Sequence, residues 1–191
     1  MYYIDSNMLI SYVFVSEKIH KISQESLEKL AEKQKLYTSS FAILESCNAL
    51  CREIARGEKI VDPLQIYIDR YKNMEEKCRF LTSFFIKFLE EKLRIKIIDE
   101  KAIYEPININ NITLPKIFYE ALKLSSKINI RTKDIIHLTY VSLFSKILKI
   151  NIKYFLTHDI ENFQKIRNRV KKLLQIEIIL IKTSKDRKII S

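Results

Sequence analysis

Short apolar, β-rich runs alternate with longer amphipathic helical stretches along this chain, and no internal repeat interrupts them. That alternation constrains the fold more than any other feature. Strands are expected at about 2–5, 36–40, 94–98, 152–157 and 176–181. Helices are expected near 7–15, 19–34, 41–56, 63–92, 115–128, 132–149 and 160–172. Strands separated by helices build a parallel sheet covered on both faces, because each crossover carries the chain back over the sheet. In such a sheet the strand carboxyl ends and the following helix N-termini share one edge, and ligands bind there where the connections diverge. The length of 191 residues suits one α/β domain over 1–191 with a substantial core.

Two segments depart from a compact pattern. Between 63 and 92 apolar residues follow spacings of three and four, from Leu64 and Tyr67 through Cys78 and Leu81 to Phe85 and Phe88. This reads as a heptad-like stripe on one long helix, an elaboration over about 56–92. It is expected to pack on helix 41–56 as an extended helical hairpin, with length left over to meet a second subunit. The segment "EKAIYEPININNITLPK" (100–116) holds two prolines and no helical period, so an extended loop is expected at about 99–114.

Composition excludes several functions. The chain has a single glycine, which rules out GxGxxG and GxxxxGK[ST] phosphate loops and a GxSxG elbow. Any phosphate must then be handled by side chains and metal ions. Cys47, Cys51 and Cys78 lack a disulfide or zinc pattern and read as buried thiols. No apolar run reaches membrane-spanning length and no secretory leader pattern opens the chain, so a soluble, cytoplasmic protein without membrane contact is expected. The formal net charge of +11 favours a polyanionic partner, above all nucleic acid, through counterion release. The basic residues are spread, apart from "RNRVKK" (167–172) and the tail "KTSKDRK" (182–188).

Against that basic background, acids recur at strand ends. "YYID" ends in Asp5, "LYTSSFAILES" runs from a strand into a helix bearing Glu45, "INIRTKDIIHLTYV" puts Asp134 in a first helical turn, and "KYFLTHDIENF" ends a strand at Thr157, His158 and Asp159. Asp5, Asp134 and Asp159 can each be a helix cap, and Glu45 a first-turn acid favoured by the helix dipole. All of them on one sheet edge are better explained as a cluster. Ionised carboxylates so close need a compensating cation, and all-oxygen ligation points to Mg²⁺ or Mn²⁺. An acidic metal site on a basic protein is the outline of a nuclease.

"DSN" after the first strand, "SSFAILE", "KDIIHL" and "FLTHDIENF", in this order, resemble the motifs of PIN-domain ribonucleases, the family that includes the VapC toxins of toxin–antitoxin pairs. The resemblance implies a three-layer α/β/α fold with a parallel sheet of strand order 3-2-1-4-5. It implies cleavage of single-stranded RNA by in-line attack of metal-activated water, leaving a 5′-phosphate and a 3′-hydroxyl. It also implies a homodimer and, for a toxin, an antitoxin protein as partner. Asp5, Glu45, Asp134 and Asp159 match the acidic, catalytic and metal-holding positions. Asn7 and Thr157 match the supporting polar ones.

Other residues carry two readings each. Arg131 and Lys133 bind RNA phosphate or neutralise the acids. His158 contacts substrate or is simply exposed. Ser40 positions Glu45 or caps its helix, and His137 reads as a hydrogen-bonded core histidine. A haloacid-dehalogenase-like phosphatase would need a second Asp where Asn7 stands, and a receiver domain a late strand-end lysine that is missing. The remaining alternative is a PIN-like RNA-binding or assembly module without cleavage.

Overall fold

The computed structural model of the chain describes residues 1–182. Its elements begin β1 (Tyr2–Ile4), α1 (Ser6–Val13), α2 (His20–Lys33), β2 (Leu36–Ser39), α3 (Ser40–Ala55), α4 (Asp62–Ile68), α5 (Met74–Leu93) and β3 (Lys96–Ile98). They continue with α6 (Lys101–Tyr104), β4 (Pro106–Ile109), β5 (Ile112–Pro115), α7 (Lys116–Ser125), α8 (Thr132–Lys146), β6 (Tyr154–Thr157), α9 (Ile160–Leu174) and β7 (Glu177–Leu180).

Five strands form one sheet in the order β3-β2-β1-β6-β7, every neighbouring pair parallel. Numbered by their own sequence order, this is the expected 3-2-1-4-5. Alternation along the strands divides the core in two. Tyr2 and Ile4 join Leu156 and Ile179 in a cluster with side chains of α1 to α5, and Tyr3 joins Phe155 and Ile178 in a second cluster with α7, α8 and α9. The architecture is therefore α/β/α, with the sheet between the two helical layers. From β1 the chain moves outward to β2 and β3, then crosses to β6 on the other side of β1. The connections thus diverge at the carboxyl ends of β1 and β6.

The expected long helix over 63–92 is broken. Asp69 ends α4, and the Asn73 side chain accepts the Glu76 N–H at 2.8 Å to start α5. The apolar stripe folds back on itself across this break. Tyr67 stacks on Phe84 and Tyr71 on Phe80, both with ring centroids 4.3 Å apart. A period of three and four reads the same along one helix or two facing halves, which is why the sequence did not show the break. The expected packing of this region on the preceding helix is present, since α5 lies against α3.

Phe85 and Leu89 are fully buried in the subunit's own core, and Phe88 packs against that core beside Tyr12, so this part of the stripe faces inward. Phe85→Ala should accordingly lower unfolding free energy by about 3–5 kcal/mol, read from denaturant melts. A loss below about 1 kcal/mol would contradict its core position.

The segment expected as a loop is α6 followed by a two-stranded antiparallel hairpin, with Ile109 opposite Ile112. Asn110 supplies the left-handed turn residue, at φ 54°. Asn tolerates that region better than other side chains, so "INNI" turns without a glycine. Cys47 is buried and Cys51 and Cys78 partly so, all as free thiols; burial first, and then Cys78, push Cys51 up to about 12. Among the described residues no helix is long and apolar enough to cross a membrane. In the basic run 167–172 every residue but Val170 is exposed on α9, whereas all of the basic tail except Lys182 lies outside the described residues.

Candidate metal centre

The opening strand delivers its acid where the sheet connections diverge. Asp5 follows β1 and caps α1, its Oδ1 accepting the Ser6 N–H at 2.8 Å. Its Oδ2 accepts the Thr157 hydroxyl, 2.7 Å away at the end of β6. Asn7 donates to Thr157 Oγ1 at 2.8 Å and accepts the His158 N–H at 3.0 Å. Asn7 and Thr157 therefore tie the ends of the two central strands together and fix Asp5 between them. Burial pushes the Asp5 carboxyl above its ordinary value, against the opposing pull of His137 and of the Thr157 and Ser6 hydrogen bonds.

Glu45 comes in from the next strand along. Ser39 ends β2 and caps α3, accepting the Ala42 N–H at 3.1 Å, and Glu45 projects from the helix that follows. Its Oε2 accepts from His137 Nε2 at 2.7 Å and from Ser6 Oγ at 2.9 Å, and its Oε1 meets Lys133 Nζ at 2.7 Å. The same His137 nitrogen lies 3.3 Å from Asp5 Oδ1. Burial alone would raise the Glu45 carboxyl, but the hydrogen bonds from His137 and Lys133 outweigh it and pull it down to about 2.

Asp134 and Asp159 close the group. Asp134 sits in the first turn of α8 at 8% exposure, and its Oδ2 is buried with no hydrogen-bond partner. Burial, then the charges of Asp5 and Asp159, push its carboxyl up to about 7. Asp159 caps α9 by accepting the Asn162 N–H at 3.1 Å, while its own N–H reaches Thr157 Oγ1 at 3.1 Å. Asp5, Asp134 and Asp159 thus share one electrostatic environment, and Glu45 joins it through His137 and Ser6.

The remaining expected residues divide. Lys133 pairs with Glu45 while keeping its side chain 70% exposed, and Arg131 stands at the N-cap of α8, where its charge draws Asp134 down. Lys133 thus forms an ion pair with an acid, whereas Arg131 acts on Asp134 only through its charge. Ser40 does not cap α3; Ser39 does, and the Ser40 hydroxyl lies 3.2 Å from the Tyr104 hydroxyl. His158 is not simply exposed. Its Nε2 meets Ser23 Oγ and its Nδ1 the Ile181 carbonyl, both at 2.7 Å, so both ring nitrogens are committed within the chain.

His137, read as a core histidine, is indeed 1% exposed, yet its Nε2 faces the acids. Burial opposes its protonation, but Asp5 and Glu45 outweigh that and raise its pKa. The signal was available in the sequence. His137 stands one helical turn after Asp134 and so faces the same way.

The donors gathered here are carboxylate oxygens. Among the described residues no three His, Cys, Asp or Glu side chains are arranged so that they could hold a metal ion, and Glu45 is turned onto Lys133 and His137. The chain's own cations thus neutralise Glu45. Carboxylate oxygens, with a buried Asp134 Oδ2 lacking any partner, match the oxygen ligation that Mg²⁺ and Mn²⁺ take.

No protein-family model matches this chain, and no curated protein sequence does. Among solved structures it is similar to the crystal structure of VapBC2 from Rickettsia felis bound to a DNA fragment from their promoter, at 14% identity and a TM-score of 0.48. That similarity covers 95% of this chain and 98% of the other.

Proposed function

We propose that this chain is a PIN-like, Mg²⁺- or Mn²⁺-dependent endoribonuclease that cuts single-stranded RNA. The observation that carries the reading is the buried, unpartnered Asp134 Oδ2, on a carboxyl raised to about 7 by burial and by the charges of Asp5 and Asp159. A structural cap or ion pair would have given that oxygen a donor. A divalent cation supplies the missing positive charge, neutralises a phosphodiester and makes water more acidic.

Asp5, Glu45, Asp134 and Asp159 would hold the cation. Asn7 and Thr157 keep Asp5 in place through the contacts described. Lys133, its side chain exposed beside Glu45, and Arg131 would meet RNA phosphate at the rim, and the basic face of α9 would extend the footprint. The products expected are a 5′-phosphate and a 3′-hydroxyl. With the order of its motifs, this reading proposes a cytoplasmic nuclease of one PIN-like domain over 1–191 that works as a homodimer. A VapC-like toxin role, as against RNA processing, would add a separate antitoxin protein as partner.

A non-catalytic RNA-binding or assembly module is favoured by one observation: Lys133 and His137 already neutralise Glu45. Calorimetric titration with Mn²⁺ separates the two readings. The nuclease reading predicts binding in the micromolar to millimolar range, lost in Asp134→Asn. A scaffold gives no heat that depends on Asp134.

A further inference from the structure

Behind the acids lies a buried chain of hydroxyl and imidazole groups. His137 Nδ1 lies 2.8 Å from the Tyr3 hydroxyl, which in turn lies 2.7 Å from Ser39 Oγ. A carboxylate only accepts, so the Nε2 facing Glu45 carries the hydrogen. One ring nitrogen is thus spent on the acids and the other on Tyr3, which touches no acid itself. His137 is also held by rings, edge-on to Phe41 at 5.1 Å and to Tyr3 at 6.0 Å between centroids.

The two cations on Glu45 differ in freedom. The Lys133 side chain is 70% exposed and can swing away, while that of His137, at 1%, cannot. With a divalent cation bound, Lys133 would be free to leave Oε1, while His137 would still hold Oε2 and stay beside Asp5 Oδ1. The orientation of both carboxylates then depends on the ring, and the ring's orientation depends on the Tyr3 hydroxyl.

We propose that Tyr3 is a positioning residue for the metal centre, acting through His137 on Asp5 and Glu45. The proposal rests on the nuclease reading above. Removing a group bonded directly to a metal ligand lowers affinity by about 10–100-fold, and Tyr3, one bond further out, should act at the low end of that range. The test is calorimetric Mn²⁺ titration of wild type, Tyr3→Phe, His137→Gln, His137→Leu and, as control, Tyr12→Phe. Tyr12 also has a mostly buried hydroxyl, bonded to Glu28 at 3.1 Å, but it belongs to the other core cluster.

The expected result is about tenfold weaker binding in Tyr3→Phe, a larger loss in His137→Leu and partial recovery in His137→Gln. Tyr12→Phe should bind as wild type does, even if it melts lower. Should His137→Leu not fold, Tyr3→Phe and His137→Gln decide the matter. Wild-type affinity in Tyr3→Phe, or an equal loss in Tyr12→Phe, overturns the proposal and leaves the nuclease reading intact. No Mn²⁺ binding by wild type overturns the nuclease reading itself.

Discussion

Asp5→Asn, Asp134→Asn and Asp159→Asn are each expected to slow RNA cleavage by roughly a hundredfold or more, because each removes charge that holds the cation stabilising the transition state. Glu45→Gln should be comparably severe. The substitutions preserve the helix caps, so loss of a cap cannot account for a slower rate. Asp5 and Asp159 also cap α1 and α9, and Asn caps a helix about as well as Asp. An Asn at either position can still accept the backbone N–H of Ser6 or Asn162. Single-turnover rates at saturating RNA check this. A Ser40→Ala control should lie within a few-fold of wild type, since Ser40 touches Tyr104 and none of the acids. Equal rates in the Asp5 variant and wild type would remove Asp5 from the chemistry.

The second large effect is on stability. Asp134 is raised from 3.8 to about 7 in the fold, so between those values the folded protein binds more protons than the unfolded chain. Stability should therefore fall as pH rises from about 4 to about 7, and the contribution is gone above that. His137 adds to the trend: its pKa is also raised, so its contribution is present below the ordinary 6.5 and lost as pH climbs through the raised value. Glu45 acts in the opposite sense, but only toward strong acid, as pH falls through about 2.

Asp134→Asn cannot ionise. In metal-free buffer at pH 8 it should melt above wild type, by an amount worth on the order of a few kcal/mol, and near pH 4 the two should converge. Mn²⁺ should then raise the wild-type melting temperature and barely move that of the variant, because only the folded metal site binds it. Melting curves across pH, with and without Mn²⁺, give the answer. A variant that melts lower at pH 8, indifferent to metal, would make Asp134 a structural cap.

The layered fold and the acids were legible because both follow from periodicity and topology. Alternation of strand and helix dictates a parallel sheet, and a parallel sheet gathers strand ends on one edge, which is why Asp5, Glu45, Asp134 and Asp159 were expected together there. What the sequence concealed depends on pairing between distant residues. The break at Asp69–Asn73 was hidden because Tyr67 and Tyr71 keep the same period while stacking back on Phe84 and Phe80. The hairpin at 106–115 was hidden because Asn110 turns it where glycine is the usual signal. The role of His137 was only half visible: its spacing put it on the side of Asp134, but its apolar neighbours say nothing of its contact with Glu45. Its partner Glu45 lies 92 residues away in sequence.

Cleavage of an unstructured RNA, assayed in parallel for wild type and Asp5→Asn purified identically, tests the central claim most directly. Each protein is run in Mn²⁺ and in excess chelator, and the ends of the products are identified. The variant matters because a co-purifying nuclease would act equally in both preparations. The account predicts internal cuts bearing 5′-phosphates for wild type in Mn²⁺, none in chelator, and a rate lower by roughly a hundredfold for Asp5→Asn. Cleavage that proceeds equally in chelator, or equally with Asp5→Asn, would contradict it.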